Sequence, residues 1–173
     1  MWMEGATQSV RWKLNACKKF GLLGRSLKPR STKESEWQTL AVLGARTIAQ
    51  ACSQRASVVV GSFVEDAALY EISSACAGEH NLASVFRQLR MAAFLEGGSL
   101  QDEENDSQCA SCLAAIFGEL VDAPVGGEST QKENARKVAE WALLDFLFLV
   151  GTGRLLGPCL AGTTNGGARG GRY

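Results

Sequence analysis

Three cysteines and the single histidine of the chain form the pattern that best fits a metal site. Three residues separate Cys76 from His80, and two residues separate Cys109 from Cys112. A Cys-x2-Cys step on a helix places both sulfurs on one side, and three thiolates with one imidazole complete a tetrahedral zinc shell. The sequence therefore offers zinc, held by these four residues, as an alternative to the expectation that no cofactor is bound.

The same cysteines also fit a buried helical stripe. Cys109 and Cys112 continue at helical spacing into Leu113 and Ile116, and no glycine or aromatic knuckle surrounds them. The N-terminus lacks the apolar segment of a secretory signal peptide. We therefore expect an intracellular protein with reduced, buried thiols rather than a disulfide framework.

No catalytic motif is present in the sequence. One histidine excludes a multi-histidine centre, and the chain has no G-x-S-x-G, phosphate-binding loop, H-E-x-x-H or dinucleotide-binding pattern. Asp145, inside an apolar segment, is the carboxylate in the most unusual setting. We expect it to pair with an arginine such as Arg154 or Arg87, or to lie at the rim of the core. The sequence therefore predicts a protein that is not an enzyme.

The segment from Ser129 to Gly157 is the element around which the rest of the chain is expected to pack. Thr130 and Glu133 form a capping box, and from Val138 onward apolar residues occupy every side of the predicted helix. The glycines at 151, 153 and 157 and Pro158 are expected to end it. A helix without a solvent face indicates a buried core helix. The residues expected to form its core are Trp141, Leu144, Asp145, Phe146 and Phe148.

Membrane contact through residues 141–162 is the alternative for this segment. A spanning helix needs about 20 mostly apolar residues. The stretch reaches that length only by including Asp145, Arg154 and Pro158. Each charge at the centre of a bilayer costs about 2.5–3.5 kcal/mol on insertion scales. The sequence therefore favours a buried core helix over a membrane-associated one.

Apolar residues at three- and four-residue steps predict four further helices before this one. They are expected to begin near Ser35, Ser62, Asn81 and the acidic stretch 101–107, where polar side chains can cap the first turn. Short connections favour antiparallel neighbours. The sequence thus predicts an all-α fold in residues 34–158, a bundle of about five helices around a buried apolar C-terminal helix.

Charge is unevenly distributed along a chain whose net charge is zero. Residues 1–33 contain eight basic residues and one acid, whereas residues 34–162 contain eight basic and seventeen acidic residues. We expect residues 1–33 to be a flexible basic arm or a targeting segment, and the Gly-rich residues 159–173 to be a flexible tail. Basic residues of the arm are expected to contact an anionic partner, such as nucleic acid. They are Arg11, Lys13, Lys18, Lys19, Arg25, Lys28 and Arg30.

Together these features predict a non-enzymatic helical protein that works through protein–protein contact as a subunit of a larger assembly. Basic extensions on an acidic helical body suit contacts with neighbouring subunits. The composition of the arm favours a mitochondrial over a cytoplasmic location. The alternatives are a zinc-stabilised nucleic-acid-binding module, in which the arm would contact phosphates, and a membrane-associated helical protein.

Overall fold

The computed structural model describes residues 2–29, 32–60, 66–96, 105–122 and 129–162. Over these ranges the chain is helical and contains no strand, so the prediction of an all-α fold is confirmed. The described ranges hold six α-helices where about five were predicted. They are α1 (Trp2–Lys19), α2 (Glu34–Val60), α3 (Asp66–Ala77), α4 (Glu79–Gln88), α5 (Asp106–Val121) and α6 (Thr130–Gly162), with a 3-10 turn (Met91–Phe94) after α4.

The additional helix, α1, lies in the segment that the composition assigned to a flexible arm. Val10, Leu14 and Cys17 are buried on one face, which packs against α6 with the Cys17 sulfur 3.5 Å from the Ala135 carbonyl oxygen. This corrects the expectation of a flexible arm, because basic residues between these positions obscured an apolar stripe with helical spacing. The loop after α1 adds three more buried residues to the core: Leu22, Leu23 and Leu27.

Helices α2 and α5 cross at two glycines. A Cβ atom on Gly44 would lie 1.8 Å from the Ala114 carbonyl oxygen, and one on Gly118 would lie 1.9 Å from the Leu40 carbonyl oxygen. Any side chain at either position would collide with the backbone of the other helix. Eleven of the 16 residues of α5 are buried, so α5, rather than the C-terminal helix, is the most deeply buried element.

Helix α6 buries one side and exposes the other. Leu144 and Phe146 are buried and Phe148 is half-buried, whereas Trp141 is 67% exposed and the Asp145 side chain is 66% exposed. This corrects the expectation of a helix with no solvent face. Helices α1 and α3 both pack against α6, but Trp141 and Asp145 remain exposed. Within the described ranges, no helix combines the length and apolarity needed to cross a bilayer.

Helix α6 also continues through the glycines that were expected to end it. It runs to Gly162, past Gly151, Gly153 and Pro158. A Cβ atom at Gly151 would lie 2.7 Å from the Cα atom of Cys76, so this glycine allows α3 to approach closely rather than ending α6. The boundary expected between residues 158 and 159 therefore falls inside the helix, and residues 163–173 lie outside the described part of the chain.

Asn81, which was expected to cap the start of a helix, instead connects three helices. Helix α4 begins two residues earlier, at Glu79. The buried Asn81 amide donates hydrogen bonds to the carbonyl oxygens of Cys76 at 2.8 Å and Leu147 at 3.0 Å. The residue therefore ties α4 to the end of α3 and the middle of α6, a role that only the tertiary structure could assign.

Candidate interaction groove

An open groove runs between the C-terminal half of α2 and the middle of α6. Its volume is about 640 Å³. The α2 wall extends from Thr47 to Val59, and at 1.5 Å per residue it is about 18 Å long. The α6 wall extends from Glu140 to Phe148. The groove is lined by Thr47, Gln50, Ala51, Gln54, Arg55, Val58, Val59, Glu140, Trp141, Leu144 and Phe148.

Large apolar side chains are exposed on both walls of this groove. Val58 and Val59 at the end of α2 are 82% and 70% exposed, and Trp141 on α6 is 67% exposed. The less exposed Leu144 and Phe148 lie beside them. Isolated exposed apolar residues are ordinary on protein surfaces, but an apolar patch with a polar rim marks an interaction site.

The charges of the groove are partly neutralised within the fold. Arg55, which lines the groove on α2, donates a hydrogen bond to the Asp145 carboxylate on α6. Asp145 is thus paired with an arginine, as the sequence suggested, although the partner is Arg55 rather than Arg154 or Arg87. A second carboxylate, Glu140, lines the α6 wall, while the polar residues on the α2 wall are neutral apart from Arg55. A partner in the groove would therefore meet a slightly acidic surface.

The four residues of the predicted zinc site differ in exposure, since one is at the surface and three are buried. His80 is exposed, with its Nδ1 atom 2.8 Å from Asp106, whereas Cys76, Cys109 and Cys112 are buried. Within the described ranges, no three His, Cys, Asp or Glu side chains are arranged to hold a metal ion. Burial raises the pKa of Cys112 to about 12, with a further contribution from Cys109. This residue is therefore a protonated thiol at neutral pH.

Two basic residues of the predicted arm form ion pairs with the acidic body. Arg25 pairs with three carboxylates, of which Asp122 is the closest at 2.8 Å. Lys28 pairs with Glu96 at 2.9 Å. The segment that was expected to reach an anionic partner is thus held, at these two positions, by carboxylates of its own chain.

Three further basic residues of this segment contact neighbouring groups of the protein. Lys13 donates to the Ser9 hydroxyl at 2.6 Å, and Lys18 donates to the Phe94 carbonyl oxygen at 3.0 Å. The Arg11 guanidinium lies 5.9 Å from the centre of the Phe94 ring. Lys19 is exposed, and Arg30 lies outside the described residues.

A buried carboxylate that was not predicted from the sequence holds the loop after α1. Glu119 is 7% exposed and accepts hydrogen bonds from the backbone N–H groups of Gly24, Arg25 and Ser26 and from the Ser26 hydroxyl. Burial acts to raise the pKa of Glu119, but these hydrogen bonds outweigh burial and hold the pKa below its usual value. A glutamate inside an apolar helical run was the available signal, but its partners lie more than 90 residues away in the sequence.

Comparison with known proteins does not assign the chain to a family. No family model, no curated protein and no solved structure matches it. Among the described residues, the groove between α2 and α6 is the surface that best fits a binding role.

Proposed function

We propose that this is a non-enzymatic helical protein that works as a subunit of a larger assembly, and that its groove receives an amphipathic helix of a partner protein. The observation that carries the proposal is the exposure of Val58, Val59 and Trp141 on the two walls of one groove. Burying apolar surface yields about 25 cal/mol per Å². An interface that covered these side chains would remove from water the largest exposed apolar residues of the groove.

The dimensions of the groove favour a helix as the occupant. The α2 wall is about 18 Å long, which corresponds to roughly three turns of an α-helix. A helix bound in a groove presents apolar anchors at positions i, i+3 or i+4, and i+7, which fit within that length. A globular face would need about 20–30 residues on each side of a standard interface, whereas the groove is lined by a small set from two helices.

The charge of the groove indicates the polar character of that helix. Because Arg55 is engaged by Asp145, the carboxylate of Glu140 is the charge that a partner would meet on the α6 wall. A lysine or arginine beside the apolar stripe of the partner would complement it. The proposed occupant is therefore an amphipathic helix with a basic flank.

Size-exclusion chromatography with light scattering, on protein expressed in its native cells, tests the proposal. The wild-type chain should elute in a complex above the monomer mass. Trp141→Ala and Val58→Asp alter opposite walls and should both release the monomer, and Glu140→Lys should weaken the complex. Trp12→Ala is the matched control, because Trp12 is 73% exposed on α1, away from the groove.

The outcomes separate the alternatives. A wild-type monomer without a partner contradicts the assembly proposal, and a complex that survives both wall variants shows that the groove is not the contact. A homodimer that Trp141→Ala dissociates would mean that a second copy of this chain occupies the groove, which contradicts a partner helix. A photoreactive residue at position 59 should cross-link to a helical segment of the partner that carries basic residues.

A further inference from the structure

We propose that the solvent side of α1 binds the surface of a membrane that contains anionic phospholipids, with Trp12 inserted among the lipid headgroups. Trp12 is 73% exposed, and basic residues lie around it on the same helix. The contact is peripheral, because the apolar face of α1 is covered by α6. This inference is independent of the assembly proposed above, since the residues that line the groove come from α2 and α6.

Helical spacing places Trp12 opposite the buried face of α1. Two positions along an α-helix correspond to a rotation of about 200°. Trp12 lies two positions from both Val10 and Leu14, which are buried against α6. Lys19 follows Trp12 by seven positions, which is close to two full turns, so the two side chains extend from the same side of the helix. The indole and an exposed ammonium group thus face away from the bundle together.

Further cations flank this side of α1. Arg11 and Lys18, also seven positions apart, lie to one side of the line from Trp12 to Lys19, and Lys13 lies to the other. With four basic residues and one acid, the side chains of α1 carry a net charge of +3. An anionic surface attracts such a helix and repels the body of the protein, where residues 34–162 hold seventeen acids against eight bases.

The cations of α1 keep their charge because the groups that they contact are neutral. Arg11 lies over the Phe94 ring, and Lys18 donates to the carbonyl oxygen of the same residue. Lys13 donates to the Ser9 hydroxyl. In the described part of the chain, no carboxylate pairs with any of these three cations. Two basic residues in the loop after α1 are instead neutralised by carboxylates, so the free positive charge is concentrated on the helix.

The shape of this surface favours a membrane over a nucleic acid. Proteins that bind single strands place several aromatic side chains along a basic groove, where successive bases stack. Helix α1 presents a convex surface with Trp12 near its middle. A tryptophan is favoured at the boundary of a bilayer, because its ring is apolar and its N–H is polar. The long apolar stems of lysine and arginine let the charged ends beside it reach the lipid phosphates.

Co-sedimentation of the full chain with lipid vesicles tests the proposal. The wild-type protein should bind phosphatidylcholine vesicles that contain phosphatidylserine, and it should not bind vesicles of phosphatidylcholine alone. Binding should weaken as salt is raised to about 0.15 M, because exposed charges are then screened over about 8 Å. Equal binding to both kinds of vesicle, or binding to neither, would overturn the proposal.

The variant Lys19→Glu separates the α1 surface from the overall charge of the protein. Each cation near an anionic surface strengthens binding about fivefold, and the variant also adds a repelling charge, so it should bind at least about fivefold more weakly. Arg46→Glu is the matched control, because it changes the net charge equally at an exposed position of α2. It should bind within about twofold of the wild type, since charges beyond the screening length contribute little. Equal losses in the two variants would contradict a contact through α1.

Quenching of tryptophan fluorescence by brominated acyl chains locates the contact. Vesicles of brominated phosphatidylcholine with phosphatidylserine should quench the wild-type emission. This quenching should be lost in Trp12→Ala and retained in Trp141→Ala, which removes the exposed indole of the groove. The opposite result would place the membrane contact on α6, within residues 141–162, and would overturn the assignment to α1.

A fluorescent single-stranded oligonucleotide tests the rival occupant. The protein should bind it more weakly than it binds the vesicles that contain phosphatidylserine, and vesicles should displace it. If the oligonucleotide binds in a manner that depends on Lys19 while the vesicles do not bind, the surface of α1 is a nucleic-acid site, and the proposal of a membrane contact is wrong.

Discussion

Replacement of Gly44 by alanine should destabilise the fold, although alanine is the better helix former. The added Cβ atom would lie 1.8 Å from the Ala114 carbonyl oxygen. Ordinary carbon–oxygen contact needs about 3.4 Å, so α2 and α5 would have to separate by about 1.6 Å. The obstacle is backbone rather than a flexible side chain, and it lies where α2 meets the most deeply buried helix. Separation would therefore loosen the centre of the bundle.

The expected destabilisation by Gly44→Ala is the difference between two opposing effects. Overpacking of a close-packed interior costs about 1–3 kcal/mol, and more when backbone has to move. Alanine regains up to about 1 kcal/mol of helix propensity. We expect a net loss of about 2–3 kcal/mol and a fall in melting temperature of roughly 4–12 °C. Gly118→Ala should behave similarly, because its Cβ atom would lie 1.9 Å from the Leu40 carbonyl oxygen.

Urea unfolding followed by circular dichroism measures this effect, with Gly5→Ala as the matched control. No atom lies within 4 Å of a Cβ on Gly5, which is also inside a helix. That variant should be as stable as the wild type or more stable by up to about 1 kcal/mol. The urea midpoint of Gly44→Ala should thus lie below that of Gly5→Ala. A Gly44→Ala midpoint at or above the wild-type value would refute the close crossing of α2 and α5.

Two further predictions concern the core and the buried carboxylate. Glu119→Gln should lower the free energy of unfolding by about 2–4 kcal/mol, because the amide cannot accept all the bonds donated by the 24–26 loop. Since the folded-state pKa of Glu119 lies below its unfolded value, its contribution is complete above the unfolded pKa and is lost as pH falls through the folded pKa. Urea midpoints of wild type and Glu119→Gln should therefore converge in acid, and parallel pH curves would contradict this. Phe146→Ala should lower the free energy of unfolding by about 2–5 kcal/mol, because Phe146 is 2% exposed. The control Lys132→Ala should change it by under about 0.5 kcal/mol. Thermal melts of the two variants that coincide would show that Phe146 is not in the core.

The helical class was readable from the sequence because it depends on local patterns. The apolar stripes and polar caps of α2 and α6 predicted helices that the structure contains. The packing of α1 was harder to predict from the sequence. Its basic residues outnumber its single acid, Glu4. The stripe of Val10, Leu14 and Cys17 becomes informative only when α6 is there to cover it.

The candidate groove could not be predicted, because burial in α6 is decided by its neighbours. Trp141 and Leu144 are both apolar and lie three positions apart, yet one is 67% exposed and the other 6%. No local pattern distinguishes them, since the difference comes from where α1, α2 and α3 pack.

The attachment of α1 to α6 has a consequence for the order in which the chain assembles. Cys17 and Ala135, which meet in the native structure, are 118 residues apart in sequence. Contacts of such high contact order form slowly, because a long loop must close before the contact stabilises anything. During synthesis from the N-terminus, α1 emerges well before its packing surface. The apolar face of α1 therefore remains uncovered until α6 has left the ribosome, and a chain interrupted before residue 135 would keep that face open to chaperones and to other nascent chains.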